Sequence, residues 1–443
     1  MWKAEDLIVL SDIHMAAEQG KGMFQADAEL TSFLTWVFEE APNATMVLAG
    51  DILDFLVVEH CERAEKALHP AGAPARTASI LEKHPEVFDA LGRLARSPEH
   101  NVIWMAGNHD PELAFPSVRE VIEQRLGWSA AAPPVRWLVH SEAATIRVGE
   151  ATALIEHGEM FDDWNRIDHD ALRRASSLAS RGLLENHKYT PPPGSKLVVE
   201  YLIELREKYP WLYLLKPERE AVIPIMFAFL ERKEQYKLLP ALKHWLSSAV
   251  RSAITELEIQ SDPARIVRST NHTSTRKQKL VAWLEEMERE PKRRASQADR
   301  IERLIPKLRE VAAEDDFFDL QTPDSVSEVV TYLLKQGSDL VIHGHTHSAK
   351  AYRLGAGLYL NTGTWGRLLR LPPGDASDAD WREFLEGLLN GRDEGVTRPT
   401  FARVTLDSQS ETTDAALVQW DDTGPSTLAS WRFDSSDRQW QRD

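Results

Sequence analysis

Five short apolar runs in this chain each stop at a cluster of carboxylate, amide or imidazole side chains, and that recurrence constrains the fold more than any other feature. Met46-Val47-Leu48-Ala49 leads into Gly50-Asp51-Ile52-Leu53-Asp54, the pattern of a buried strand that delivers an acid into the loop after it. Leu7-Ile8-Val9-Leu10 leads in the same way to Ser11-Asp12-Ile13-His14, and Val102-Ile103-Trp104-Met105 to Gly107-Asn108-His109-Asp110. Leu154-Ile155 precedes His157-Gly158-Glu159, and Leu340-Val341-Ile342 precedes His343-Gly344-His345-Thr346-His347. In extended backbone residues two apart project to one side, so Asp12 with His14, and His345 with His347, can each grip one ion. Any single cluster has a bland alternative: a strand-terminal Asp caps the next helix, or a His satisfies a buried carbonyl. Five together, pooling Asp, Asn and His without thiolate, point to a metal centre suited to Mn²⁺, Fe or Zn²⁺ rather than to a structural cysteine–zinc site.

The intervals between the runs read as helices. Residues 26–40 carry Leu30, Phe33, Leu34, Val37 and Phe38 at helical spacing. Residues 59–96 read as an Ala- and Pro-rich loop followed by a helix through Ile80, Leu81, Val87, Phe88, Leu91 and Leu94. This βαβ alternation predicts an α/β core with largely parallel central strands and a site beyond their carboxyl ends. The texture changes after residue 165. Residues 166–337 are expected to form a helical insertion or cap, with long charged segments at 198–208, 221–237, 239–257 and 277–290. The core, residues 1–165, is expected to resume at 338–443, where alternating runs at 401–406, 415–420 and 426–433 suggest antiparallel strands. One stretch of the insertion is basic: Arg265, Arg268, Arg276, Lys277, Lys279, Lys292, Arg293, Arg294, Arg300, Arg303, Lys307 and Arg309. It reads first as a solvated helix face, and second as a surface for a nucleotide or nucleic acid.

Composition sets outer limits. A net charge of −17 argues against indiscriminate nucleic-acid binding. The single cysteine, Cys61, excludes an internal disulfide and fits a reducing compartment. No apolar run reaches the ~18 residues of a membrane span. Met1 to Asp6 runs straight into a strand with no room for a signal peptide, so the expected location is cytoplasmic.

The blocks D-x-H, G-D-x-x-D, G-N-H-[DE], a lone H and G-H-x-H, in this order, resemble those of the calcineurin-like metallophosphoesterase superfamily. The resemblance covers roughly residues 7–165 and 338–365. It implies a four-layer αββα sandwich, here with a large helical cap inserted, and a metal-dependent phosphoesterase. It further implies that Asp12, His14, Asp51 and His347 hold one divalent ion, and that Asp51, Asn108, His157 and His345 hold the other. Mn²⁺ is the expected metal, with Fe, Zn²⁺ or Ni²⁺ as other occupants. Asp51 would bridge ions ~3.5–4 Å apart, and a hydroxide shared by them would attack phosphorus in line. His109 would protonate the leaving oxygen, with Asp110 orienting its ring. Asn361-Thr362-Gly363-Thr364 also resembles the Asn-x-Gly-Ser turn that follows the last block. His343 is expected to lie behind the ligands or in the core, Asp54 to be a structural anchor, and Cys61 to carry no chemistry.

The implied substrate is a phosphoester, a phosphodiester ahead of a phosphomonoester. The fourth block is similar to the His-Gly-Asp block of the UDP-2,3-diacylglucosamine pyrophosphatase branch. That branch tends to carry Arg where this chain has His109, which sets the lipid-linked pyrophosphatase reading back. The apolar stretch 201–230 could line an acyl groove, but packing between helices is the preferred reading. A nuclease or nucleotide phosphodiesterase using the basic stretch is the alternative. A non-catalytic scaffold comes last, because all seven implied ligands and His109 are present.

Overall fold

A computed structural model describes residues 1–17, 22–57, 72–128, 135–162, 164–183, 190–199, 203–206, 208–230, 235, 296–324, 326–392, 394–407 and 409–442. Cys61, the segments 239–257 and 277–290, and the basic residues Arg265 through Arg294 named above lie outside them.

Alternation along the first long strand sets the layering. In β2 (Asp6–Leu10), Leu7 and Val9 join one buried cluster while Ile8 and Leu10 join another. A two-residue repeat does this when both faces of a sheet are covered. β2 pairs in parallel with β3 (Ala44–Ala49), β3 with β4 (Asn101–Met105), and β4 with β5 (Arg136–Leu138). The crossovers are helical: Asp27–Glu40 after β2, Ala73–Lys83 and Pro85–Arg96 after β3, and Pro116–Arg125 after β4. Beyond β2 the sheet continues antiparallel through β14 (Thr400–Asp407), β15 (Thr412–Asp421), β16 (Gly424–Asp434) and β17 (Gln439–Arg442). It has eight strands.

The second sheet has six strands, in the order β1 (Trp2–Ala4), β6 (Ala144–Val148), β7 (Ala151–Ile155), β9 (Leu340–His343), β11 (Gly357–Asn361) and β10 (Lys350–Leu354). Its inner residues, such as Ile146, Ile155, Leu340, Ile342 and Leu358, pack against Leu7, Val9, Val47 and Ile103 of the first sheet. The helices named above cover the first sheet's outer face. On the far side, the helix Ser327–Lys335 lays Val330 against Val341, Tyr352 and Tyr359. The molecule is therefore the expected αββα sandwich. That last helix is one of its layers, although the sequence groups it with the insertion.

A second core stands beside the sandwich. Tyr209, Trp211, Phe227, Leu308, Trp381 and Leu385 belong to it. Its two long helices, Gln297–Ala313 and Asp378–Leu389, each begin with a Ser–Asp capping box. A small sheet of β8 (Leu215–Lys216), β12 (Arg367–Arg370) and β13 (Val396–Thr397) joins them. This core thus takes residues from before and after the last metal block. The described residues of the apolar stretch, 208–230, are mostly buried within it, in line with helix packing rather than an acyl groove. Among the described residues no helix is long and apolar enough to cross a membrane.

Trp104 is fully buried between the first sheet and its helices, stacked on Trp137 with centroids 5.3 Å apart. Trp104→Ala should lower stability by about 3–5 kcal/mol, seen as a lower urea midpoint at unchanged slope. A loss below about 1 kcal/mol would mean that the surrounding layer collapses into the space.

Candidate metal centre

All five blocks follow the carboxyl ends of β2, β3, β4, β7 and β9. The first three strands run parallel in one sheet, and β7 and β9 run parallel in the other. The chain then bends sharply. Asp12, His14, Asp51, His345 and His347 all take left-handed backbone, with φ between 53° and 67°. Such residues rarely adopt this conformation, and it costs on the order of 1–3 kcal/mol at each position, so the surroundings must enforce it. The enforcing bonds are visible. Asp12 N donates to Gly50 O (3.1 Å), His14 N to Asp51 O (3.0 Å) and Asp54 N to Met15 O (2.7 Å). Two glycines make the approach possible: a Cβ on Gly50 would run into the His157 ring, and one on Gly344 into Ser11 and Asp12.

The side chains converge in overlapping groups. Asp12, His14 and His347 form one, His14, Asp51 and His109 a second, and Asp51, His157 and His345 a third. His347 Nε2 lies 3.3 Å from Asp12 Oδ1, and His14 Nε2 lies 4.0 Å from Asp51 Oδ2. His157 Nε2 is 3.2 Å from Asp51 Oδ2 and 3.3 Å from Asn108 Oδ1. The structure therefore brings all seven implied ligands together, with Asp51 shared. The donor set fits divalent cations. His157 Nδ1 lies 2.9 Å from Ala49 O, a bond that turns Nε2 toward Asp51 and Asn108. His14 and His347 point their Nε2 atoms at each other across 2.9 Å, while their Nδ1 atoms are buried without a hydrogen-bond partner. Two imidazole nitrogens aimed at one point suit a shared cation.

Electrostatics agree. Burial would raise the Asp51 carboxyl, but His157 and His109 outweigh it and hold the group well below its usual range. Burial likewise opposes ionisation of Asp12, yet His347 and His157 bring it down to about 2. Burial, with His109 and His347 beside it, lowers His14 to about 3, so its ring is neutral, the form in which an imidazole can bind a cation. His347 is lowered by burial and then by the Lys216 ammonium.

One expected role moves to a different residue. Asp110 does not orient His109. Its carboxylate accepts backbone N–H groups from Gly107 (2.6 Å), Ile52 (2.9 Å), Asp51 (3.3 Å) and Leu53 (3.3 Å), and so ties the second block to the third. Asp54, read from the sequence as an anchor, stands 3.1 Å from His109 Nδ1 and 3.9 Å from His14 Nδ1. Burial works to lower the His109 pKa, but Asp54 and Asp51 outweigh it and bring the ring up to about 9. The G-D-x-x-D spacing was the available signal for Asp54.

The Asn-Thr-Gly-Thr turn braces the centre. Thr364 Oγ1 donates to Asp12 O (2.7 Å), and Asn361 Nδ2 to Gly344 O (2.8 Å). His343 is buried, with Nε2 3.0 Å from Glu156 Oε1, behind the ligands as expected. Asp162, given no role from the sequence, approaches His345 Nε2 at 3.3 Å.

Residues 6–213 match the family described as calcineurin-like phosphoesterase. Over those residues the chain belongs to the calcineurin-like phosphoesterase family. It is accordingly a metal-dependent phosphoric ester hydrolase. The match ends before the last block, so His345 and His347 enter the site through strand pairing, β9 lying in parallel beside β7. In a comparison with curated proteins, none matches.

Asp51→Asn keeps the side chain's shape and removes its charge. The expected result is loss of bound metal and a fall in turnover of more than about a hundredfold. Full metal content with normal turnover would show that Asp51 does not join the two donor groups.

Proposed function

We propose that the protein hydrolyses a phosphodiester or phosphomonoester at a centre holding two divalent ions. Asp12, His14 and His347 would hold one ion, and Asn108, His157 and His345 the other, with Asp51 common to both. Mn²⁺ is the proposed metal, because the donors are oxygen and imidazole without thiolate. The observation that carries the reading is the place of Asp51, which groups with His14 on one side and with His157 and His345 on the other. Bound divalent ions would supply Lewis acidity toward phosphoryl oxygens and lower the pKa of water.

The remaining work falls to the chain's own side chains. Against the effect of burial, Asp54 and Asp51 beside the His109 ring favour its protonated form and bring its pKa up to about 9. Asp54 engages Nδ1, which leaves Nε2 as the nitrogen able to give that proton to a leaving oxygen. Asp54 also stabilises the charged ring and fixes its orientation, the part a carboxylate plays behind a catalytic imidazole. The ring is held edge-on against His14, with centroids 4.5 Å apart, which places proton donation next to the metal ligands. A histidine so equipped supports general-acid chemistry where the lipid-linked pyrophosphatase branch tends to have arginine.

A small phosphoester is favoured over a nucleic acid. Of the basic stretch, Arg300 donates to Leu230 O (3.0 Å) and Arg309 to Ala376 O (2.6 Å), so these cations serve the second core.

His109→Ala should keep the full metal content and slow turnover about 10²- to 10⁴-fold on esters with poor alkoxide leaving groups. An activated p-nitrophenyl ester should suffer far less, and Asp54→Asn should shift the same ratio in the same direction. Equal losses on both kinds of ester would remove the general-acid role.

A further inference from the structure

Asp162 closes block four and opens the path from it into the second core. Its backbone N–H donates to Glu159 O (3.0 Å), which ends the short 3₁₀ turn Glu159–Phe161 after His157-Gly158. Its carbonyl then accepts Asn165 N (3.0 Å) and Arg166 N (2.8 Å). The carboxylate braces the same corner: Oδ1 accepts the backbone N–H of Trp164 (3.0 Å), and Oδ2 accepts Asn165 Nδ2 (2.9 Å). An aspartate bonded to the N–H two residues on holds its own turn. Trp164 is buried in the second core, and its carbonyl accepts Gly194 N (2.8 Å). Gly194 in turn leaves room for Asn165, whose Oδ1 stands where a Cβ would have to go. The carboxylate is thus fixed by its own turn and by the second core.

Oδ2 also meets a candidate ligand. His345 Nε2 lies 3.3 Å from it, in hydrogen-bonding geometry, with the two side chains only 9 % and 20 % exposed for His345 and Asp162. A carboxylate accepts and does not donate, so the proton of this bond sits on Nε2. The other ring nitrogen, Nδ1, is buried without a hydrogen-bond partner. His345 groups with Asp51 and His157, one atom of each lying within 4.8 Å of the others, whereas Asp162 joins none of the donor groups among the described residues. Asp162 therefore stands behind His345 and not among the donors. His157 uses the same device with the nitrogens exchanged: Nδ1 is engaged by Ala49 O, and Nε2 faces Asp51 and Asn108.

We propose that Asp162 is the positioning residue for the ion assigned to Asn108, His157 and His345, keeping the proton of His345 on Nε2 and so turning Nδ1 to the cation. The inference rests on the two-ion reading and deepens it, since it names the coordinating nitrogen and the side chain that selects it. A carboxylate behind a ligating imidazole fixes its tautomer and orientation and makes it a stronger donor. The backbone carbonyl behind His157 fixes orientation without supplying a full charge, so the two histidines of this ion are not equivalent. Through Trp164, the same turn joins the ion's surroundings to the second core.

Calorimetric titration with Mn²⁺ alone tests the claim without recourse to turnover. Asp162→Ala should weaken one of the two ions about 10- to 100-fold and leave the other within about threefold. Asp162→Asn keeps an acceptor for the Trp164 N–H and for Nε2–H but loses the charge, so it should recover part of that affinity. Long-range ¹H–¹⁵N correlation spectra should show His345 of the Zn²⁺-loaded protein coordinated through Nδ1 and protonated on Nε2. In the metal-free protein the bias toward Nε2–H should be present in wild type and lost in Asp162→Ala, a change that a merely structural role would not produce. Coordination through Nε2, unchanged affinity for both ions in Asp162→Ala, or equal weakening of both overturns the inference. A wild-type protein that takes up one Mn²⁺ or none refutes the two-ion reading instead, and the proton position on metal-free His345 still decides what Asp162 does.

Discussion

Asp51 is a carboxylate 1 % exposed to water and ringed by imidazoles, and the rest of the structure is arranged to make that burial tolerable. An isolated ionised carboxylate in such a place would be prohibitively unstable. Here one oxygen accepts the His109 backbone N–H at 2.7 Å, and the other lies 3.2 Å from His157 Nε2. The same contacts that stabilise the charge orient it between the two groups of donors. Stability and function are therefore coupled at one side chain. Cations placed on either side would complete a compensation that the neighbouring histidines supply only in part.

That arrangement demands an unusual backbone, which explains why the scaffold is so heavily braced. Five of the candidate ligand residues are left-handed, and none of them is glycine. The conformations persist because each block is bonded to another block rather than only to its own strand. Block one is tied to block two through Asp12 and Gly50, and block two to block three through the Asp110 carboxylate. Block five is tied back to block one, where the backbone N–H of His345 donates to Asp12 Oδ2 at 2.9 Å. Two rigid sheets fix the strand ends, and the loops interlock across them.

The legible and illegible parts of the chain divide along physical lines. Strands such as β2 and β3 were readable because an apolar run ending in Gly-Asp or Asp-x-His is a local pattern with few alternatives. The convergence of the candidate donors was readable because all five patterns share one chemistry. Adjacency in sequence misled at Asp110: the left-handed and turning backbone sends it back toward Ile52, while Asp54, fifty-five positions away, arrives beside His109. The second core was not readable, because it is assembled from residues 209–230, the helix Gln297–Ala313 and the helix Asp378–Leu389, which no periodicity connects.

The metal blocks alone describe a general phosphoester chemistry. The central claim nevertheless concerns the two ions and the carboxylate between them. Electron paramagnetic resonance of the protein reconstituted with Mn²⁺, combined with metal quantification, addresses it most directly. Ions ~3.5–4 Å apart and joined by Asp51 should give two Mn²⁺ per chain and an exchange-coupled spectrum. One Mn²⁺ per chain, or two with the spectrum of isolated ions, would contradict a shared Asp51.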